Sequence, residues 1–166
     1  MVSVLLAALL VLPGGVLAQS PQEAPSNAFS KEQLDQLLAP IALYPDSLLT
    51  QMLMASTYPL EVVKANNWAK QNKDLKGDAL TKSLEKQDWD PSVKSLVNFP
   101  QVLQMMSDKL DWTQKLGDAF LAQEKDVLAS VQSLRAKAME AGNLKTTKEQ
   151  KVVVEKDPRV IIIEQA

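Results

Sequence analysis

Apolar and polar positions alternate along the chain in three different ways. Val4 to Leu12 is an unbroken apolar run, closed by Pro13-Gly14-Gly15 and then Val16-Leu17-Ala18. Residues 19–29, rich in Pro, Ser, Gln and Ala, carry no apolar period and read as a linker. From Ser30 the apolar residues recur at helical spacing, and from Gln150 they cluster as Val152-Val153-Val154 and Val160-Ile161-Ile162-Ile163.

The helical part opens on a capping-box signature, Ser30 with Gln33, followed by Leu34, Leu37, Leu38 and Ile41 on one stripe. Pro40 interrupts that stripe, so the first helix is expected to end near Ala39. Four further helices are expected to start at a proline: Pro45, Pro59, Pro91 and Pro100. Proline suits a first helical position because its missing N–H would have no partner there and its φ is already helical. Asp78 is placed to cap a short helix carrying Leu80 and Leu84. The longest pattern runs from about Thr113 to Ala141, with Leu116, Phe120, Val127, Val131, Leu134 and Ala138 on the stripe. Gly117 is its expected break, Gln123 is the polar residue on its apolar stripe, and Gly142-Asn143 is its stop signal. The order of Pro45, Pro59 and Trp68 resembles that of Pro91, Pro100 and Trp112, but the intervals differ, which argues against a duplication.

The pattern gives a mainly α fold: a helical domain over residues 30–145 with short proline-initiated helices and one long helix. A β-rich extension begins at residues 146–166 and reads as truncated, because a lone hairpin is at best marginally stable. The first segment, residues 1–18, reads as a secretory signal peptide without the usual basic start. Its apolar run is too short to cross roughly 30 Å of hydrocarbon at about 1.5 Å per residue. No later apolar span is long enough either, and no Cys follows the expected cleavage point to carry a lipid. The expected location is therefore outside the cytoplasm.

Composition then narrows the chemistry. Among 166 residues there is no His and no Cys, and 18 basic face 20 acidic side chains. Disulfides, thiolate sites, a Ser-His-Asp triad and the common zinc ligand sets are excluded. Mixed charge gives no concentrated basic face, so nucleic acid is not an expected partner. No metal site and no cofactor is expected; a calcium loop would need alternating oxygen ligands, a Gly turn and a closing Glu, and no such run exists.

Five groups of residues remain as candidates. Ser83-Leu84-Glu85-Lys86 fits S-x-x-K, but its companion K-T-G and S-D-N elements are missing. Asp108, Asp111 and Asp118 could converge as a carboxylate pair acting on a glycan, although acids near helix starts, including Asp46, Asp78 and Asp90, ordinarily stabilise the helix dipole. Tyr44, Tyr58, Trp68, Trp89, Phe99 and Trp112 could line a binding groove for sugar or peptide, or plug corners between helices. Lys125, Arg135, Lys137, Lys145, Lys148 and Lys151 make the long helix's end basic, as its dipole favours and as an anionic partner would require. Met52, Met54, Met105 and Met106 could offer an adaptable apolar surface.

The string LDQLLAPIALYPDSLLTQMLMASTYPLEVVKANNW, with LKGDAL and WDPSVKSLVNFPQVLQMMSDKLDWTQKLGDAF after it, resembles a bacterial family known as domain of unknown function 3300. The likeness runs from about Leu34 to Ile163, and the Tyr44 to Leu49 block is specific to it. It implies an exported protein of Gram-negative bacteria whose relatives continue past the VIIIE segment with more strands. It implies no activity, cofactor or catalytic residue. The expectation is a non-enzymatic cell-envelope interaction or scaffolding module, holding an envelope protein or glycan. The alternatives are a carboxylate-dependent glycan- or peptidoglycan-acting enzyme and a periplasmic chaperone-like binder.

Overall fold

A computed structural model describes residues 28–156 and 159–166; the expected signal peptide and most of the linker lie outside the described residues. Seven helices and two strands follow one another among them: α1 (Lys31–Leu38), α2 (Asp46–Ser56), α3 (Pro59–Gln71), α4 (Gly77–Glu85), α5 (Pro91–Leu96), α6 (Pro100–Asp108), α7 (Leu110–Glu140), β1 (Gln150–Lys156) and β2 (Arg159–Gln165). The fold is mainly α, with one long helix and a two-stranded antiparallel sheet at its end.

Helix starts follow local chemistry. Ser30 and Gln33 form the reciprocal capping box at α1. Pro59, Pro91 and Pro100 occupy the first turns of α3, α5 and α6, whereas Pro45 sits one position earlier as the N-cap of α2. Asp90 caps α5 by accepting from the Ser92 N–H at 2.9 Å. Asp78 does not cap α4: Lys76 holds that position without a side-chain bond, and Asp78 lies in the first turn. Gly77, with φ +53°, supplies the left-handed entry that places Asp78 inside the helix.

The long helix departs from expectation in two places. Its break is at Gln123 (φ −142°, ψ 45°), not at Gly117. Gly117 is instead a contact point, since a Cβ there would overlap the carbonyl of Ser56 at the end of α2. The helix also starts earlier, at Leu110, so Asp118 lies in its interior and contributes nothing to its start. Its end is as expected: Gly142 (φ +75°) and Asn143 return their N–H groups to Met139 and Ala138, the Schellman pairing.

α7 is the spine, packing against α1, α2, α3, α6 and β2. Leu34, Leu38, Met52, Val62, Leu96, Leu103, Met106, Leu116 and Val127 fill one core cluster. Burying each such side chain stabilises the fold by about 1.5–3 kcal/mol before chain entropy is counted. The two strands pair in register from Gln150–Gln165 to Lys156–Arg159. Ile161 and Ile163 insert with Leu144 into a second, smaller cluster against Ala136, Ala138 and Met139 of α7. The strands thus pair with each other and pack onto the end of α7.

Candidate functional site

The residues with the strongest claim to chemistry are distributed rather than convergent. Trp68 and Trp89 pack on each other edge to face, with ring centroids 5.9 Å apart. Tyr44 is half-buried against the core and lends its backbone carbonyl to Arg135. Tyr58 and Phe99 are the N-cap residues of α3 and α6, with exposed rings. Trp112 stands apart from these, in a groove beside the α6–α7 turn.

Lys109 (φ −108°, ψ 54°) ends α6 and begins α7, so the chain turns sharply between Asp108 and Leu110. Thr113, buried on the new helix, returns its hydroxyl to the Met106 carbonyl at 2.7 Å and fixes the turn. Trp112 then faces α1 and donates its indole N–H to the Leu37 carbonyl at 2.9 Å, leaving the ring half-buried. Across from it, the Gln123 side chain accepts from the Phe29 N–H at 2.7 Å and donates to its carbonyl at 3.2 Å. That reciprocal pair explains the break in α7: the amide at the kink holds the strand-like entry into α1.

Between these anchors lies a depression of about 580 Å³ lined by Phe29, Gln33, Gln36, Leu37, Asp111, Trp112 and Lys115. A second, of about 420 Å³, is lined by Asp108, Lys109, Leu110, Asp111 and Trp112. Asp111 and Trp112 belong to both, so the two hollows adjoin at these residues. Gln33 has its amide oxygen committed to the Ser30 N–H at 2.8 Å, whereas Gln36, Asp111 and Lys115 are exposed. Asp118 lines a different depression, with Ser56, Thr57, Pro59 and Gly117. The expected convergence of three acids is therefore reduced to Asp108 and Asp111.

The other candidates take structural positions. Met52 and Met106 are in the core, Met105 is partly buried and Met54 is exposed. Ser83 is half-buried within α4, and Lys86 is the exposed cap residue after it. Lys137 and Lys151 are paired with Asp35 and Glu164, while Lys125, Lys145 and Lys148 are exposed.

Arg135 is not available to an anionic partner as the rest of that basic group is: its side chain is 1% exposed. Nε donates to the Ala42 carbonyl at 2.8 Å, Nη1 to the Ile161 carbonyl at 2.8 Å and Nη2 to the Tyr44 carbonyl at 3.1 Å. Asp46 adds an ion pair from the N-terminus of α2. A planar guanidinium with five N–H donors can satisfy several acceptors at once, which a lysine could not do in this geometry. One side chain thereby ties the α1–α2 corner and β2 to α7. Counting charges along the chain does not reveal this, although a basic residue one turn from Val131 on the apolar stripe is a trace of it.

The opposite end of α1 is tied by Asp35. Lys31 donates to its carboxylate at 2.7 Å, Ser130 at 2.5 Å and Lys137 at 3.3 Å. These donors, Lys31 foremost, hold the carboxyl down at about 2 from its ordinary 3.8. No group of three or more acids, His or Cys able to hold a metal occurs among the described residues.

The family described as "Protein of unknown function (DUF3300)" matches residues 30–166. The chain belongs to that family. It is 54% identical over 127 residues to "Uncharacterized protein YacH" of Escherichia coli (strain K12), a Gram-negative bacterium. The matched stretch is 76% of this chain and 21% of that relative, so the chain spans about a fifth of the longer protein's length. No solved structure matches. Trp112, Asp111 and the turn that positions them therefore sit within the segment that defines this DUF3300 domain.

Proposed function

We propose that this DUF3300 domain is a non-enzymatic interaction module of the cell envelope, exported to the periplasm and holding its partner at the Trp112 groove. One observation carries the reading: a half-buried tryptophan fixed through its indole N–H lines two adjoining hollows rimmed by amide, carboxylate and ammonium groups. Such a surface offers both an apolar face and hydrogen-bonding groups, as recognition sites do. Export rests on the Val4–Leu12 run and the break after it. The absence of His and Cys from the sequence supports binding over the commonest forms of nucleophilic catalysis.

The test is affinity capture from envelope fractions with the chain from Gln19 onward, compared with its Asp111→Asn and Lys115→Ala variants. A component retained by the parent and lost from both variants, at moderate and at low salt, is the expected result. Equal retention by all three, or none, overturns the reading.

Asp108 and Asp111 sharing one hollow favour a second reading, carboxylate-dependent glycan cleavage. Release of soluble muropeptides from peptidoglycan, abolished by Asp108→Ala or Asp111→Ala, would establish it in place of the first.

A further inference from the structure

Charge and shape at the Trp112 groove restrict what can occupy it. The rim carries Asp108 and Asp111 on the negative side and Lys109 and Lys115 on the positive side, which balance. An anionic polymer would meet two carboxylates within the hollows, and a cationic one two ammonium groups. An apolar helix would leave four charged side chains and the Gln36 amide facing it, at a desolvation cost. An uncharged ligand with many hydroxyls meets none of these penalties, because hydroxyls both donate and accept and can pair with carboxylate, amide and ammonium alike.

The ring supplies the remaining requirement. The bond from Trp112 Nε1 to the Leu37 carbonyl commits the indole's single donor to the protein, so what the ring offers a ligand is apolar surface. Pyranose rings present C–H faces as well as hydroxyl edges and can use both kinds of surface together. Two adjoining hollows of about 580 and 420 Å³ that share Trp112 suit consecutive sugar units. We infer that the groove formed by Phe29, Gln36, Asp108, Asp111, Trp112 and Lys115 binds an uncharged oligosaccharide across the Trp112 ring. This rests on the interaction-module reading and names the ligand class of the same site.

The experiment is an NMR titration of the chain from Gln19 onward with maltotetraose, cellotetraose and tetra-N-acetylchitotetraose, each to about 10 mM, a range that detects weak binding. The Trp112 indole N–H and the Gln36 side-chain amide are expected to shift saturably with at least one of them, while the Trp68 and Trp89 indoles stay in place. Asp111→Ala and Gln36→Ala alter exposed side chains, so they test the site without depending on the core. Each is expected to weaken binding about fivefold or more, equivalent to about 1 kcal/mol. Absence of a shift with all three sugars, or shifts that the two variants leave unchanged, overturns the inference. Envelope capture that depends on Asp111 while no sugar binds would remove the glycan and leave the interaction module standing; loss of both would remove the two together.

Discussion

Replacing Arg135 with Met would leave the carbonyls of Ala42 and Tyr44 without their donor and that of Ile161 with Gln132 alone. Each unsatisfied buried group costs about 1–3 kcal/mol, so a loss of about 2 kcal/mol or more is expected by urea denaturation, with faster amide exchange in β2. Asp46→Asn should cost no more than about 1 kcal/mol, because the Asp46 side chain is 41% exposed and its charge remains solvated. A ratio near one between the two losses would show that the ion pair, not the carbonyl triad, is what Arg135 contributes. Asp35 behaves differently because it titrates. Its carboxyl is held at about 2 in the folded chain and reverts toward 3.8 when unfolded, so the unfolded state takes up the proton first. The stability it contributes is therefore complete above about pH 4 and is lost as pH falls toward 2. Asp35→Asn should flatten that part of the acid-unfolding curve and lower stability at neutral pH by about 1 kcal/mol. Neither role can be read from residue type alone: the partners of Arg135 lie 93, 91 and 26 positions away, and Ser130 lies 95 positions from Asp35.

At the level of elements, what was local in the sequence was legible and what depended on a neighbour was not. The capping box of α1, the prolines of α3, α5 and α6, and the Gly142 stop of α7 are each decided within a few residues, and each stands where the pattern puts it. Gly117 and Gln123 exchanged roles because both answer to distant contacts: one admits the Ser56 carbonyl, the other holds Phe29. Gly117→Ala separates helix propensity from packing. Propensity alone would stabilise α7 by about 1 kcal/mol, but the added methyl meets backbone rather than a flexible side chain. Forcing α2 from α7 is expected to cost about 1–3 kcal/mol, giving a net loss in thermal melting; a gain would show that the two helices separate freely. Gln123→Ala removes both bonds to Phe29 and should quicken exchange of the Phe29 amide while costing about 1 kcal/mol. The Trp112 groove was legible only in part for the same reason. The ring and the two acids stood out by type, but Gln36 and Lys115 enter it through the crossing of α1 and α7.

Across the whole molecule, a two-stranded sheet is a hazard, because both of its outer edges carry backbone groups able to pair with another chain. Here each edge is met by a side chain from outside the sheet. Gln132 of α7 accepts from the Ile161 N–H at 2.8 Å and donates to the Ile161 carbonyl at 3.2 Å, imitating a neighbouring strand along β2. Thr146 accepts from the Val152 N–H at 3.0 Å on the outer edge of β1. Together with Ile161 and Ile163 in the second cluster, these contacts hold a hairpin that would be marginal alone. Gln132→Ala should therefore do two things at once. It should release the Ile161 amide to exchange, and it should increase self-association on mild heating, measured by light scattering, because the freed edge of β2 is apolar and strand-forming. Thr146→Val, which frees one N–H next to a β-branched side chain, should show the smaller effect of the two. Equal scattering from Gln132→Ala and the parent would mean that Arg135, which shares the Ile161 carbonyl with Gln132, protects that edge without it.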